Sequence, residues 1–224
     1  MIVRPDERVP MARLLTFLAA GERLAHDCAK AQTGMVDNDG SRRFLLSQAR
    51  QEAMHARVFQ GAILWLAPRH LGDCPLLPPL EQYRAKLMAA IDRGDLVEAV
   101  LAEQVILEGM GEALLNRIEA GLVKHDAPFG RLRRILLLQE DAHAGFGRRV
   151  LERSMADGVT DAGTLRACAQ PYLGLARDMV TTLCELFDAI DEDATSWATD
   201  VAAYLPDWLR DDGETALGRL GAIR

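Results

Sequence analysis

The chain has 224 residues, enough to bury a substantial core, and its 49% hydrophobic and 26% charged content is typical of a soluble globular protein. A net charge of −7 without an evident basic face argues against nucleic acid as the main partner. No apolar run approaches the roughly 20 residues that cross a bilayer, and the strand-like alternation of a sheet protein is absent. The sequence therefore predicts an all-α protein.

The cysteines favour a reducing compartment. Cys28, Cys74, Cys168 and Cys184 are widely spaced and form no Cys-x-x-Cys pair, which argues against a disulfide framework, a zinc ribbon or a rubredoxin-type iron site. The first residues show no signal-peptide pattern. We therefore expect reduced thiols, a cytoplasmic location and no membrane partner.

The first predicted helix covers about residues 10–32 and has a glutamate on its apolar face. Glu22 lies between Leu18 and Ala25 at helical spacing. A glutamate that faces the core is costly unless it is paired or bound to a metal. His26 follows one turn later, where a hydrogen-bonded boundary histidine is favoured over a metal ligand or a residue that supports one.

The second predicted helix follows a turn at 37–41 and ends before Pro68. Its residues 51–56 read Gln-Glu-Ala-Met-His-Ala. Glu52 and His55 are three positions apart, so their side chains leave the same face of the helix, and the neighbouring apolar residues place that face in the core.

A long crossover at 67–94, with a short helix at about 81–91, leads to a third predicted helix at 95–120. Three glutamates of this helix compete for one position: Glu103, Glu108 and Glu112. The apolar stripe contains Glu108, and its distance in sequence from the next motif matches that between Glu22 and the first motif. We therefore favour Glu108 over Glu103, with Glu112 as an additional carboxylate.

The fourth predicted helix follows Ala127-Pro128, ends near Gly158 and repeats the motif at 139–144 as Gln-Glu-Asp-Ala-His-Ala. With 14 Glu and 5 His, chance predicts about 0.3 Glu-x-x-His matches, and the chain has two. Ordinary surface pairs of Glu and His are the alternative, which the apolar neighbours of both motifs disfavour.

Two more helical segments follow. Asp161 caps a fifth helix that continues to about residue 190 with a kink near Pro171, and a sixth segment at 196–209 is interrupted by Pro206. Three aromatic residues of the sixth segment either pack in the core, which we favour, or cover a pocket mouth or a dimer surface: Trp197, Tyr204 and Trp208.

With both motifs in view, the chain resembles the ferritin-like di-iron carboxylate superfamily over about residues 10–156. The resemblance implies an up-down four-helix bundle with one long crossover at 67–94 and additional C-terminal helices at 159–224, all in a single domain, 1–224. It also implies two metal ions held by six side chains: Glu22, Glu52, His55, Glu108, Glu140 and His143.

In this family the motif glutamates bridge the metals, so Glu52 and Glu140 would bridge here. Each remaining pair, Glu22 with His55 and Glu108 with His143, would complete one metal. Oxygen and imidazole ligands suit two Fe ions, with Mn or a mixed Fe/Mn pair as alternatives, and O2 as the co-substrate.

Gln51 and Gln139 stand where several members of the family have an acidic residue. A glutamine carbonyl can also accept the imidazole N–H and fix the tautomer of a ligand histidine. The three tyrosines are distant from both motifs in the sequence, so a stored tyrosyl radical is not expected.

Small residues surround the predicted ligands, and they fit two interpretations equally well: a cavity for an organic substrate, or close packing of helices. They are Ala19, Ala20, Gly21, Ala25, Ala53, Ala56, Gly109, Gly111, Ala144, Gly145 and Gly147.

The expected function is that of an O2-dependent oxidase or oxygenase, which carries out hydroxylation, N-oxygenation or desaturation of a small organic substrate. An external electron donor and a homodimer are further expectations. A ferroxidase or peroxide-scavenging protein like ferritin or rubrerythrin is the first alternative, and a metal-free helical binding protein is the second. We expect Glu52→Ala or Glu140→Ala to abolish metal binding, and Glu103→Ala to be nearly silent.

Overall fold

The computed structural model describes residues 3–70, 77–124 and 130–210, and no strand occurs within these ranges. The all-α prediction is confirmed. The helices are α1 (Arg8–Gln32), α2 (Asp39–Leu66), α3 (Leu77–Asp92), α4 (Leu96–Val100), α5 (Glu108–Lys124), α6 (Gly130–Ala156), α7 (Ala162–Thr182), α8 (Cys184–Ala189) and α9 (Ala194–Ala203). A π-helical segment, Leu101–Leu107, joins α4 to α5 without a break.

Four long rods form the bundle. Helix α1 packs along α2, and the composite rod of α4, the π-helical segment and α5 packs along α6. Helices α2 and α6 also touch, while α3 belongs to the crossover between the second and third rods. The predicted four-helix bundle with a long crossover is confirmed, although 71–76 of that crossover lie outside the described residues.

The third rod is not the uniform α-helix that we predicted over 95–120. In its π-helical segment, backbone hydrogen bonds join residues five positions apart, so each turn contains more residues than an α-helical turn. The side chains after the segment therefore point in other directions than a continuous α-helix would give them. Every residue from 101 to 110 is buried. Because no polar face marks the register in this run, the sequence pattern could not reveal the widened turn.

Other helix boundaries differ by a few residues from the predicted ones. The predicted fifth helix is divided into two helices, but not at Pro171, which lies inside α7. The division is at Leu183, a turn residue between α7 and α8. Gly158 has a φ of +70° just beyond the end of α6, as expected for a residue that terminates a helix. The predicted start of that helix at Ala127-Pro128 lies outside the described residues.

The crossover helix α3 and the C-terminal helices cover one layer of the bundle. Helices α3, α7, α8 and α9 pack on α1, the π-helical segment and α5, whereas the α2–α6 layer has none of them as a substantial neighbour among the described residues. Arg117 of α5 helps to hold α9, through Asp200 at 2.6 Å. Trp197 is buried and stacks on Phe187, so the core-packing interpretation holds for this residue.

No helix in the described part of the chain is long and apolar enough to cross a membrane. The assignment of the whole chain to one domain stays a prediction.

Candidate metal centre

The six predicted ligand residues meet at the centre of the bundle, and all six are buried. They form two groups in which one ligand atom from each residue lies within 4.8 Å of all the others. The first group is Glu22, Glu52, His55 and Glu140, and the second is Glu52, Glu108, Glu140 and His143. Glu52 and Glu140 belong to both groups, which is the arrangement that two neighbouring cations with shared carboxylates require.

The four rods each contribute to the centre because of helical spacing. Glu22 lies in the middle of α1 and Glu108 at the beginning of α5. The motifs lie near the middle of α2 and α6, where the i and i+3 positions direct a carboxylate and an imidazole to one side. Four separate helices therefore bring their polar residues to one level of an otherwise apolar interior.

Each histidine is held by a glutamine from the other motif. His55 Nε2–H donates to Gln139 Oε1 at 2.8 Å, and His143 Nε2–H donates to Gln51 Oε1 at 2.8 Å. Because a glutamine carbonyl only accepts, this crosswise pair of bonds puts the proton of each neutral imidazole on Nε2. Nδ1 of each ring then points its lone pair into the centre.

Several atoms of the centre have no hydrogen-bond partner although they are buried: Glu52 Oε1, Glu140 Oε1 and His143 Nδ1. The distance from His143 Nδ1 to Glu52 Oε1 and that from His55 Nδ1 to Glu140 Oε1 are both 2.8 Å, yet these close approaches lack the directions of a hydrogen bond. Buried polar atoms without partners are costly in a metal-free core. Bound cations would give these carboxylate and imidazole atoms the partners that they lack, so the residues fit a pair of metal ions.

Burial disturbs the protonation of the centre in the absence of cations. It raises the pKa of Glu22 and Glu140 to about 8 and that of Glu52 to about 7, since a carboxylate loses its water there and neighbouring carboxylates repel it. Burial alone would lower the pKa of His55, but the carboxylates of Glu140, Glu22 and Glu52, which lie 2.8–3.3 Å from its Nδ1, outweigh burial and raise it. The pKa of His143 is lowered, mainly by burial. Two divalent cations would reverse this tendency and keep the carboxylates charged.

Glu103 and Glu108 both face the centre, although the sequence presented them as alternatives. Gln48 Nε2 donates to Glu103 Oε1 and to Glu108 Oε1, at 2.9 Å each. A separation of five residues spans more than one α-helical turn, but in the π-helical register it brings both carboxylates to one face. Of these two glutamates, only Glu108 belongs to a ligand group, the second one. Glu103 is a fully buried neighbour with one unpartnered oxygen.

A buried glutamine network supports this side of the centre, and the sequence prediction assigned it no role. Gln32 and Gln104 exchange hydrogen bonds at 3.2 and 2.5 Å, and Gln104 Nε2 also donates to Gln48 Oε1 at 3.4 Å. The only sequence signal for Gln48 and Gln104 was their position on apolar stripes. Gly147 lets α6 approach, since a methyl group there would lie 2.5 Å from Gln104 Cβ.

His26 and Glu112 are outside both ligand groups. His26 is half-buried and its Nδ1–H donates to the carbonyl of Ala49 at 2.6 Å, so the hydrogen-bonded boundary interpretation is the one that the contact supports. Glu112 is buried one turn beyond Glu108, with one unpartnered oxygen and Arg148 at 4.0 Å. Burial and the nearby Asp141 raise the pKa of Glu112 to about 7.

An apolar cavity of about 30 Å³ opens beside the centre between α1 and α5. It is lined by Phe17, Leu18, Gly21, Glu22, Ala25, Leu107, Glu108, Met110, Gly111, Leu114 and Glu140. A methyl group added at Gly21 or Gly111 would meet no atom within 4 Å, whereas Gly147 is in close contact with the neighbouring helix. The small residues therefore serve both interpretations: some border a void and others allow close packing.

Comparison with solved structures shows the same fold in a known protein. The chain is similar to a protein from Synechococcus, described as protein 19 with aldehyde deformylating oxidase activity, with a TM-score of 0.75 and 18% sequence identity. The match covers 99% of this chain and 97% of that chain. No protein-family model matches the sequence, and no curated protein does. The chain thus has a ferritin-like helical fold, and its Glu/His groups can hold a pair of metal ions.

Proposed function

We propose that the chain is a di-metal oxidoreductase that uses O2 to oxidise a small apolar organic molecule. The observation that carries this proposal is the pair of overlapping Glu/His groups, whose unpartnered ligand atoms lie beside an apolar cavity. The deformylating oxidase activity of the Synechococcus protein supports the same class of reaction. An aliphatic aldehyde is therefore the first substrate class to test.

Iron is the metal that we expect, with manganese or a mixed pair as alternatives, because carboxylate and imidazole ligands suit both. Glu52 and Glu140 are common to both groups and would lie between the ions. Glu22 with His55, and Glu108 with His143, would complete one ion each. When bound, a reduced metal pair would supply the electrons for O2 reduction, and an external electron donor would return them to the metals.

The protein's own residues prepare the centre for this chemistry. Gln51 and Gln139 accept the Nε2–H of the two histidines and so direct Nδ1 of each ring at the centre. The apolar residues of the cavity, such as Phe17 and Leu114, would contact an aliphatic chain next to the carboxylates of Glu22 and Glu108 once the cavity widens. The form of oxidation would be set by the substrate atom that faces the metals: hydroxylation, N-oxygenation, desaturation or deformylation.

A second candidate is a ferroxidase or a peroxide-scavenging protein, and the size of the cavity favours it. A volume of about 30 Å³ holds about one water molecule, so a larger substrate requires side chains such as Met110 to move aside. Peroxide needs no such movement. A cytoplasmic location, a homodimer and the absence of a nucleic-acid partner stay predictions.

The test is to load the protein with Fe(II) without air and to measure bound iron, O2 uptake and products with aliphatic aldehydes, excess Fe(II) or peroxide. We expect two iron ions per chain and an O2 uptake that rises when the aldehyde is added. Gly111→Leu fills the cavity without a clash at Cβ, so it should remove aldehyde oxidation and leave iron binding intact. Turnover of peroxide alone would favour the second candidate, and a protein that binds no metal would overturn both.

A further inference from the structure

The outer surface of α2 and α6 is unusually apolar for a surface that no described helix covers. Nine large apolar side chains are exposed among the described residues, and seven of them belong to these two helices. They are Leu46, Met54, Leu64, Trp65, Leu132, Ile135 and Leu138. Trp65 is 66% exposed and Leu138 is 63% exposed, so both side chains are surface residues and not partly exposed members of the core.

Five of these side chains form one patch along the seam between α2 and α6. The crosswise bonds of Gln51 and Gln139 mark the sides on which the two helices face each other. Met54 and Trp65 follow Gln51 by 3 and 14 positions, and Ile135 and Leu132 precede Gln139 by 4 and 7. These spacings keep them on the stripe next to the seam, and Leu138 follows Ile135 by one turn.

Arginines surround this patch. Between residues 40 and 70 there are five arginines and one acid, Glu52, which is buried. Between 130 and 140 there are three arginines and again one acid, the buried Glu140. Four of the eight arginines border the patch and are exposed: Arg50, Arg57, Arg131 and Arg134. We call this patch and its four arginines the α2–α6 face.

The charge of the α2–α6 face indicates which class of partner it fits. The whole chain has a net charge of −7. Near the α2–α6 face, the exposed Asp141 follows Arg134 by seven positions, so the four arginines against this one aspartate are a local excess of the opposite sign. A second copy docked by twofold symmetry would place arginines against arginines, which costs energy. Nucleic acid would satisfy the arginines but not the aliphatic side chains and the tryptophan between them.

We propose that the α2–α6 face docks on the surface of an anionic lipid bilayer. Tryptophan and aliphatic side chains enter the boundary between headgroups and acyl chains, and arginines beside them pair with the anionic headgroups. Arginine is suited to this position because its stem can lie on apolar surface while its guanidinium stays in water. The stretch from Met54 to Trp65 alone is about 17 Å long, at about 1.5 Å per residue.

Docking of this kind needs no spanning segment, so the lack of a membrane-crossing helix does not oppose it. The expectation of no membrane partner rested on that lack. The cavity lies between α1 and α5, in the other layer of the bundle, so the docked protein keeps its cavity away from the bilayer surface. The proposal is independent of the metal centre and of the reaction.

The test is flotation of the full chain with vesicles of phosphatidylcholine alone and of phosphatidylcholine with phosphatidylglycerol, at low and high salt. We expect binding to the anionic vesicles, loss of binding at high salt, and a blue shift of tryptophan emission from Trp65. The double variant Trp65→Ser, Leu138→Ser should bind at least about tenfold more weakly. Arg57→Glu with Arg134→Glu should also abolish binding.

The matched controls are exposed residues away from the face. Val159→Ser replaces a residue that is 69% exposed, and Arg23→Glu reverses an exposed charge on α1, so neither should alter binding. Circular dichroism verifies that each variant is folded. Failure to bind either kind of vesicle overturns the proposal. So does equal binding to polyglutamate, which would indicate an acidic protein partner, or a dimer that Trp65→Ser dissociates.

Discussion

The two halves of the candidate metal centre present the same kinds of side chain from different backbones. In the first half, Glu22 is the single carboxylate of a regular α-helix, opposite Glu52 and His55. In the second half, Glu108 follows a π-helical segment that brings Glu103 beside it, and Gln48 binds both. The repeated sequence motif therefore determines which side chains meet, whereas the local helix geometry determines how many carboxylates surround each metal position.

The largest expected effect comes from the residues that both halves share. Glu52→Ala or Glu140→Ala should abolish binding of both metal ions, because each carboxylate belongs to both ligand groups. Metal analysis after reconstitution with Fe(II) measures this. Glu152→Ala, an exposed change on the same helix as Glu140, is the control and should bind normally. Retention of one full equivalent of iron by Glu52→Ala would show that the halves are separate sites.

A smaller effect is expected for the residues that connect the halves. Gln51→Leu or Gln139→Leu leaves one imidazole N–H without its acceptor, so metal affinity should fall by about 10- to 100-fold. Gln51→Glu and Gln139→Glu keep an acceptor and should retain the affinity. Competition with a coloured chelator gives the affinities. Equal affinities for the Leu and Glu variants would contradict the proposed role of the hydrogen bonds.

Glu103, the extra carboxylate of the second half, is the clearest difference between the two halves of the centre. Glu103 is fully buried and accepts a bond from Gln48, so Glu103→Ala should not be as nearly silent as the sequence suggests. We expect Glu103→Gln to keep two metals and weaken one of them by about tenfold, which is a typical loss for a group that supports a ligand. Stepwise metal titration separates the two affinities. A uniform loss at both positions would break the distinction between the halves.

The smallest expected effect is on the stability of the metal-free protein. The raised pKa values of Glu22, Glu52 and Glu140 mean that the folded state keeps protons which the unfolded chain has released, so stability falls as the pH rises toward about 8. The raised pKa of His55 acts in the same direction.

One pKa unit corresponds to about 1.4 kcal/mol and moves the Tm of a domain of this size by a few degrees, so Tm should drop by at least about 5 °C between pH about 6.5 and 9. Calorimetry of the metal-free and the metal-loaded protein measures this. Metal loading should make Tm nearly independent of pH over this range, because metal-bound carboxylates hold no protons. A metal-free protein that becomes more stable over this range would contradict the assigned pKa directions. Glu22→Gln removes one of the titrating groups and should reduce the slope.

The helices and the six converging residues were predictable because they obey a local rule. A glutamate on an apolar helical face needs a partner, and four such positions with two histidines leave few arrangements. The π-helical segment was not predictable, because an entirely buried run has no polar side to define its register. The contacts of Gln48 and the choice between void and close packing at Gly111 and Gly147 depend on neighbouring helices, which a local pattern does not contain.

The surface of α2 and α6 illustrates the same limit. Leu132, Ile135 and Leu138 look like the buried side of a helix in the sequence, and only the packing shows that no described helix covers them. Arg131 and Arg134, which stand between these apolar positions, are exposed as well.

The crosswise glutamine bonds have a consequence for how the proposed pair of metal ions would load. A cation that enters the first position fixes His55, and through Gln139 it steadies the helix that also holds Glu140 and His143. The second cation would then bind a helix that the first has already ordered, so its binding would lose less conformational entropy. Such binding is positively cooperative. The two ions should therefore load together, with few half-filled molecules at intermediate metal concentrations.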